Sequence, residues 1–377
     1  MPMPPMHSPA RILIACDKFK GSLDAPAVCS AIASGLSGRF PQACIEQFPI
    51  ADGGEGFAAA LENPLGGRWV KTSAHDALGR PITARYLLAA TADGPLAVIE
   101  MAEASGIWRI APEERDILRA STSGTGELMR HAVELCGAKR LVIGLGGSAT
   151  NDGGAGMAAA LGVRFFDEHD SLLNATPRDL LEKIARVDVT QRIPLPPVTV
   201  ACDVDNPLLG PRGATRVFGP QKGADEHSQP LLESYLERLV AASAGEASAA
   251  RPGAGAAGGL GFGLLHFAAA EMVPGFDLLA SLTGLRERLL AADLIVTGEG
   301  SLDAQSLGGK GPVALARMAR SLGKPVIAFC GRADAAARSC GLFDAVHELV
   351  ATGLPLDQLM SRTADLLQNA ARQAAPP

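Results

Sequence analysis

The sequence predicts an α/β fold with a doubly wound, mainly parallel sheet, and two patterns support this prediction. Continuous apolar runs recur along the chain, and each closes on a small or polar residue: 11–16, 97–99, 141–143, 198–202, 293–297 and 326–330. Apolar runs without alternation are typical of strands buried on both faces, as in parallel sheets covered by helices. Segments with helical spacing lie between these runs, at 26–36, 126–135 and 312–322. Alternating strands and helices of this kind define the α/β class.

Acidic residues stand at the ends of four of these predicted strands: Asp17, Glu100, Asp203 and Glu299. In doubly wound sheets, ligands bind outside the carboxyl ends of the strands. We therefore expect these four carboxylates to line a cleft.

Length and composition limit the function further. A chain of 377 residues is too long for one typical core, so we expect two domains. The net charge is −6 and no basic stripe occurs, which disfavours nucleic acids and anionic membranes as partners.

The cysteines and the uncharged segments indicate a cytoplasmic protein. Seven cysteines occur, an odd number without a CxxC pair, so we expect neither a disulfide framework nor a zinc site. Residues 1–11 lack the apolar core of a secretion signal. The longest uncharged stretch, 253–270, predicts a buried loop and helix rather than a membrane span.

The glycine-rich segment 140–162, RLVIGLGGSATNDGGAGMAAALG, predicts a Mg-nucleotide site. A glycine loop between a strand and a helix start favours an anion, because its N–H groups are free and the helix dipole adds to them. Acidic and amide side chains within such a loop are suited to hold Mg²⁺ on phosphates. The predicted nucleotide or phosphate contacts are Gly146, Gly147, Ser148, Thr150, Asn151, Asp152 and Gly153.

The same segment allows a second interpretation. Gly144, Gly146 and Ala149 spell GxGxxA after a strand, and the strand-like run 163–166 ends at Asp167. This pattern approaches the dinucleotide fingerprint and favours an NAD-dependent oxidoreductase. No Walker A pattern occurs in the sequence, so a kinase here is not a P-loop kinase.

Nine further strings resemble the ATP-dependent glycerate kinases of the bacterial two-domain family, from about residue 11 to residue 371. They are DKFKGSL (17–23), ADGGEG (51–56), EMAEASG (100–106), SGTGEL (123–128), GGSATNDGGAGM (146–157), CDVDNPLLGPRGAT (202–215), FGPQKGA (218–224), PGAGAAGGLGFG (252–263) and TGEGSLDAQSLGGK (297–310). The chain departs from the family at three positions. This chain has Lys18, Ser301 and Ser306, where the family commonly has Ser, Arg and Thr respectively.

The resemblance implies transfer of the ATP γ-phosphate to a hydroxyl of D-glycerate, with Mg²⁺ required. It leaves open whether the product is 2- or 3-phosphoglycerate, and whether the protein is a monomer or a homodimer. It also implies a Rossmann-like domain built from both chain ends (1–75 and 285–377), an inserted mixed α/β domain (76–284), and an active site in the cleft between them. A non-catalytic sensor of glycerate or nucleotide, built on a kinase scaffold, is the third hypothesis.

Asp203 is our candidate for the catalytic carboxylate. Phosphoryl transfer requires one carboxylate near the attacking hydroxyl. Asp203 follows a buried strand, and Pro207 stiffens the turn after it. Two alternatives stay open: Asp203 only caps that turn, or Asp205, which is otherwise assigned to the substrate, takes the role.

The acids of the ADGGEG loop are candidates for Mg²⁺ or for the glycerate hydroxyls. Asp52 is assigned to catalysis and to the metal, together with Asp152 as a second metal ligand, and Glu55 is assigned to the substrate. The alternative is a β-turn with solvated acids.

Two lysines are candidate anion clamps. Lys20 is predicted to clamp a phosphate or carboxylate, and Ser22 to cap the next helix, whose start adds to the anion site. Lys222 in GPQKGA is a second cation of this kind, and Glu299 is a candidate for substrate or metal. Both lysine assignments rest mainly on the resemblance, because lysines in glycine-bounded loops are often only solvated.

Overall fold

The computed structural model describes residues 9–51, 53–180, 183–309 and 311–374. The chain divides into two compact units. Unit 1 consists of residues 1–52 and 276–377, and unit 2 consists of residues 53–275. Asp52 and Lys310 lie outside the described residues.

The described residues form thirteen strands. They are β1 (Arg11–Cys16), β2 (Cys44–Gln47), β3 (Arg68–His75), β4 (Pro81–Thr91), β5 (Gly94–Glu100), β6 (Arg140–Gly144), β7 (Arg164–Phe166), β8 (Arg186–Asp188), β9 (Val198–Ala201), β10 (Glu271–Val273), β11 (Leu294–Leu302), β12 (Val326–Ala333) and β13 (Ala345–Glu348).

The helices of the described residues cover the sheets. They are α1 (Ala25–Arg39), α2 (Phe57–Leu65), α3 (Ala102–Ser105), α4 (Ser123–Glu134), α5 (Ala155–Ala160), α6 (Pro177–Leu180), α7 (Ala214–Phe218), α8 (Ser228–Ser243), α9 (Glu246–Ala249), α10 (Ala256–Phe267), α11 (Gly275–Thr283), α12 (Leu285–Ala291), α13 (Ala304–Leu307), α14 (Gly311–Ser321), α15 (Ala335–Ser339), α16 (Leu356–Ser361) and α17 (Thr363–Gln373). Short 3₁₀ turns occur at Ile107–Arg109, Pro112–Glu114, Pro220–Lys222 and Leu349–Thr352.

Unit 1 contains a five-stranded, wholly parallel sheet in the order β13-β12-β11-β1-β2. The chain extends the sheet to one side after β1 and to the other side from β11 onward. The topological switch point therefore lies between β1 and β11. Strand β1 coincides with the predicted run 11–16, and its residues from Ile12 to Cys16 are buried. Helices α1 and α17 pack closely, since a Cβ atom on Gly35 would come within 2.3 Å of the Gln368 carbonyl oxygen.

Unit 2 contains a six-stranded mixed sheet in the order β10-β9-β6-β5-β4-β3. Strands β3, β4 and β5 form an antiparallel meander, whereas β5, β6, β9 and β10 run parallel. Ile99, Ile143 and Val200 from the three central strands share one buried core with Leu128 of α4 and Met157 of α5. The predicted α/β class and its division into a parallel-sheet unit from both chain ends and an inserted mixed unit are confirmed.

The limits of the two units differ from the boundaries drawn in the sequence at 75/76 and 284/285. Residues 53–75 belong to unit 2, because β3 pairs with β4 along its whole length. Residues 276–284 belong to unit 1. The uncharged stretch 253–270 holds the buried helix α10, and no helix among the described residues is long and apolar enough to cross a membrane.

Candidate functional site

The carboxyl ends of β5, β6 and β9 form one edge of the unit 2 sheet. Glu100 is paired in register with Gly144, and Gly144 with Ala201, so these three strand ends lie side by side. Asp203 lies two residues after Ala201, the last residue of β9. The sheet therefore brings Glu100 and Asp203 to the same edge. Asp17 and Glu299 belong to the separate sheet of unit 1, so a cleft lined by all four carboxylates stays a prediction.

The loop 53–56 lies directly against this edge, and glycines make the approach possible. A Cβ atom on Gly144 would come within 2.7 Å of the Gly53 carbonyl oxygen, and one on Gly146 within 2.6 Å of the Gly54 Cα atom. Any larger residue at either position would push the loop away. Gly144 and Gly146 thus allow loop 53–56 to lie against the sheet edge.

Glu100 holds the start of helix α2 in place. Its carboxylate accepts hydrogen bonds from the N–H groups of Ala58 at 2.8 Å and Gly56 at 3.2 Å. A carboxylate at a helix N-terminus satisfies free N–H groups and complements the helix dipole. Glu55, which is exposed, is therefore carried on a loop anchored at both sides. The sequence placed Glu100 at a strand end, but this long-range capping left no local signal.

Asp203 is an exposed carboxylate with a fixed orientation. Its Oδ1 atom accepts a hydrogen bond from the Gly275 N–H at 2.9 Å. Asp205, its proposed alternative, is also exposed but forms an ion pair in which both oxygens accept from Arg212 Nη2, at 2.8 and 2.9 Å. Asp203 is thus held by the backbone at a strand end, whereas Asp205 is engaged with a surface arginine.

The glycine-rich loop after β6 enters the protein interior. The side chains of Thr150, Asn151 and Asp152 are fully buried, and Ser148 is 8% exposed. Gly153 is covered by α8, since a Cβ atom there would come within 2.5 Å of Leu239. Asp152 and its neighbours therefore pack inside unit 2, and their assignment as phosphate ligands stays a prediction that this burial does not favour. In the loop from 145 to 153, only residues 145–147 reach the surface.

Asp152 has a structural partner for each carboxylate oxygen. Oδ2 accepts from the N–H and the hydroxyl of Thr122, at 2.7 and 2.8 Å, and from the Gly156 N–H at 3.1 Å. Oδ1 accepts from the Gly154 N–H at 3.1 Å. Burial raises the pKa of Asp152, and these hydrogen bonds oppose the shift. Since both oxygens serve the start of α5, Asp152 does not fit the predicted role of a Mg²⁺ ligand.

Lys222 is buried beneath the same loop. Its side chain is 2% exposed, and Nζ donates a hydrogen bond to the Thr150 carbonyl oxygen at 2.8 Å. Burial lowers the pKa of Lys222 to about 7, and the nearby Asp152 carboxylate opposes this shift. The structure thus places Lys222 inside unit 2 rather than on a ligand-facing surface, and its assignment to the substrate stays a prediction.

The dinucleotide interpretation does not match the structure. Helix α5 begins at Ala155, well after the turn formed by residues 144–149. Strand β7 pairs with β8 in a separate two-stranded sheet and does not extend the sheet beside β6. Asp167 instead accepts hydrogen bonds from His169 and Ser171 in its own turn, which lower its pKa.

Unit 1 has a cavity of about 380 Å³ at the carboxyl ends of β1, β11 and β12. Its polar lining includes Lys18, Lys20, Glu299, Ser301 and Arg332. The structure therefore brings together the predicted clamp Lys20 and the predicted ligand Glu299. The sequence analysis did not identify Arg332, because this residue lies two positions after the predicted run 326–330 and belongs to no recognised motif.

Two helix caps in unit 1 can be compared with their sequences. The prediction that Ser22 caps α1 is wrong: Asp24 accepts from the Ala27 N–H at 2.9 Å, whereas the Ser22 hydroxyl donates to the Met360 carbonyl oxygen at 2.7 Å. The proline at the start of α1 and Asp24 were the overlooked signals. Asp303 precedes α13 and accepts from the Ser306 N–H at 3.3 Å, as expected for a helix cap.

In the four described segments, no group of three or more His, Cys, Asp or Glu side chains is arranged to hold a metal ion. Mg²⁺ usually takes one or two carboxylates, with phosphate and water supplying the other ligands, so single exposed carboxylates such as Glu55 and Asp203 fit this ion.

Comparison with known proteins gives one consistent result. Residues 12–376 match the model of the glycerate kinase family. A glycerate kinase of Bacillus subtilis is 40% identical over 97% of each chain, and the glycerate 2-kinase of Escherichia coli K12 is 40% identical over 85% of each chain. A crystal structure provisionally assigned as glycerate kinase 2 of Salmonella typhimurium LT2 superposes with a TM-score of 0.83, at 37% identity and 97% coverage of both chains.

Proposed function

The chain belongs to the glycerate kinase family, and from this premise we propose that it transfers the γ-phosphate of ATP to a hydroxyl of D-glycerate. The family membership makes it a phosphotransferase with an alcohol group as acceptor. Glycerate, ATP, Mg²⁺ and a cytoplasmic location are the parts that we propose. Seven cysteines without a disulfide support the reducing compartment.

The observation that carries this proposal is the exposed carboxylate of Asp203 at the carboxyl end of β9. Phosphoryl transfer needs a group that accepts the proton of the attacking hydroxyl, and most of the remaining catalysis is positioning and charge neutralisation. The hydrogen bond from Gly275 fixes one oxygen of Asp203 and restricts its rotation. We propose that Asp203 accepts the proton of the glycerate hydroxyl as that oxygen bonds to the γ-phosphorus and ADP leaves.

The loop 53–56 is the second part of the proposed substrate site. It lies against the same sheet edge and carries the exposed Glu55, which is suited to accept hydrogen bonds from glycerate hydroxyls. When bound, Mg²⁺ neutralises charge on the phosphates, and Glu55 with Asp52 of the same motif are the carboxylates we propose to hold it. In unit 1, the exposed Lys20 is the proposed clamp for an anionic group.

We propose 2-phosphoglycerate as the product. The relative from Escherichia coli K12 is a glycerate 2-kinase, and it is 40% identical to this chain over 327 residues. The 2- and 3-hydroxyls differ only in how glycerate is turned towards the base, so the product must be identified directly.

The test measures ADP release from Mg-ATP with D-glycerate for the wild type, Asp203→Asn and the matched control Asp205→Asn. We expect the wild type to turn over, Asp203→Asn to lose activity by at least about 100-fold, the lower end for removal of a general base, and Asp205→Asn to stay active. ³¹P NMR of the product identifies the phosphorylated hydroxyl.

Three outcomes contradict parts of the proposal. Full activity of Asp203→Asn removes Asp203 as the base, and loss of activity in Asp205→Asn alone moves the base there. No turnover with either enantiomer of glycerate contradicts the assignment of the substrate.

A further inference from the structure

We propose that the cavity of unit 1 is the nucleotide site, with the purine base of ATP on its apolar wall and the phosphates at its cationic rim. This inference rests on the proposed function, because it assigns the second substrate of the same reaction. It also moves the nucleotide away from the glycine-rich loop of unit 2.

The position of the cavity in the sheet is the first argument. Its lining comes from the segments that follow or end β1, β11 and β12, and β1 and β11 flank the topological switch point of the sheet. At a switch point the two loops leave in opposite directions and open a crevice, which is where parallel α/β sheets bind their ligands. The cavity of about 380 Å³ lies in the range of about 300–1,000 Å³ that is typical of small-molecule sites.

The apolar wall is the second argument. Val350, Leu356 and Met360 are 42%, 72% and 39% exposed, although large apolar side chains are usually buried. All three line this one cavity, above the buried Leu349 and Leu359. Clustered exposed apolar groups in a concave site indicate a ligand with an apolar face. A three-carbon hydroxy acid has no such face, whereas a purine ring does.

The charges on the opposite side are the third argument. Lys18, Lys20 and Arg332 line the cavity against a single carboxylate, Glu299. Arg332 is oriented by its Nε atom, which donates to the Ser301 hydroxyl at 3.1 Å. Three cations suit a polyphosphate. Glu299 lies within β11, three residues before its end, beside the switch point. An acidic side chain there suits ribose hydroxyls, which Asp or Glu recognises in other nucleotide-binding α/β folds.

The glycine-rich loop of unit 2 has little accessible surface for a ligand. Its residues from Ser148 to Gly153 are covered by protein, and Asp152 uses both carboxylate oxygens internally. The two observations together favour the cavity of unit 1 as the place where a purine base is buried.

Isothermal titration calorimetry with ADP tests the proposal without depending on turnover. The variants are Leu356→Glu and Met360→Glu, which place a carboxylate on the apolar wall. The matched control is Leu290→Glu, because Leu290 is a 50% exposed leucine of unit 1 outside the cavity. We expect both wall variants to weaken ADP binding by about tenfold or more, through lost apolar contact and phosphate repulsion, and the control to bind like the wild type.

The controls separate this proposal from the proposed function. The nucleotide assignment is overturned if both wall variants bind ADP with unchanged affinity, or if the wild type does not bind ADP. It is also overturned if the wall variants bind D-glycerate more weakly but bind ADP normally. A wild type that binds ADP through this wall but does not phosphorylate glycerate supports the cavity and contradicts the proposed function.

Discussion

The Lys222 ammonium group donates a hydrogen bond to the carbonyl oxygen of Thr150 at 2.8 Å inside unit 2. The lysine comes from a 3₁₀ turn and the threonine from the glycine-rich loop, 72 residues earlier in the chain. Tyr235 supports the loop from α8, as its hydroxyl donates to the Asp152 carbonyl oxygen at 2.6 Å. The loop is therefore held by two buried hydrogen bonds that titratable side chains donate.

This contact predicts a pH-dependent stability. Burial lowers the pKa of Lys222 to about 7 in the folded state, whereas an unfolded lysine keeps its ordinary value of 10.5. Between these values the unfolded state binds more protons, so the contribution of Lys222 to the free energy of unfolding rises with pH, by up to about 1.4 kcal/mol per unit. Below pH 7 both states are protonated and the dependence ends. Burial raises the pKa of Tyr235 well above its ordinary value, so Tyr235 does not titrate in this window.

Denaturant unfolding between pH 6.5 and 9.5 checks this expectation. The difference in unfolding free energy between the wild type and Lys222→Met should grow with pH in favour of the wild type. Lys71→Met, at an exposed lysine of the same unit, should follow the wild type throughout. Parallel curves for the wild type and Lys222→Met would exclude a buried, titrating ammonium group.

Gly146→Ala should reduce activity through the loop that it contacts. The new Cβ atom would come within 2.6 Å of the Gly54 Cα atom, and backbone cannot yield as a flexible side chain does. We expect loop 53–56 to shift and kcat/KM to fall by at least about 100-fold, as positional errors of about 1 Å can cause. Gly38→Ala is the control, because its Cβ atom meets only the Arg372 Nε atom at an ordinary 3.6 Å. Wild-type kinetics in Gly146→Ala would show that the loop position is not critical.

The sequence predicted elements well where burial alone determines them. Strand β1 matches its apolar run, because both faces of a central parallel strand are buried and the pattern needs no knowledge of partners. The apolar stripe of residues 355–373 indicates a single helix, but this segment forms α16 and α17, with the break at Arg362. At this break the Met360 carbonyl oxygen accepts from Ser22, a residue over three hundred positions away, which no local pattern reports.

The candidate site shows the same limit. Glycine spacing after β6 looked like a phosphate loop, but glycines there permit close packing: Gly153 meets Leu239, and Gly258 approaches the Thr150 carbonyl oxygen. Close backbone approach and ligand binding require the same residue type. Only the packing of α8 and α10 against the loop distinguishes close packing from ligand binding. This tertiary packing cannot be predicted from a local sequence pattern.

Glu100→Gln should test the cap of α2. The variant keeps one good acceptor but loses the charge that complements the helix dipole, so we expect the protein to be destabilised by about 1 kcal/mol. We also expect KM for glycerate to rise more than KM for ATP, because the capped helix carries loop 53–56 and Glu55. Glu113→Gln, at an exposed glutamate of unit 2, is the control. An equal rise in both KM values would contradict a role confined to the substrate loop.

The last prediction concerns two of the three departures from the family pattern, Lys18 and Ser301. Both residues line the unit 1 cavity. At position 18 this chain has Lys where the family usually has Ser, and at position 301 it has Ser where the family usually has Arg. One cation is gained and one is lost, so the number of cations in the cavity is unchanged. If the cavity binds ATP, the phosphates require a cation in the cavity, and the exact position of that cation matters less.

We therefore expect Lys18→Ser to raise KM for ATP by about fivefold or more, as loss of a charged hydrogen bond of about 1 kcal/mol implies. The double variant Lys18→Ser/Ser301→Arg should recover most of this loss, because it restores the cation on the neighbouring strand β11. A double-mutant cycle on KM for ATP and on KM for glycerate measures the coupling. Additive effects, or a coupling confined to glycerate, would mean that the two positions vary independently of the nucleotide.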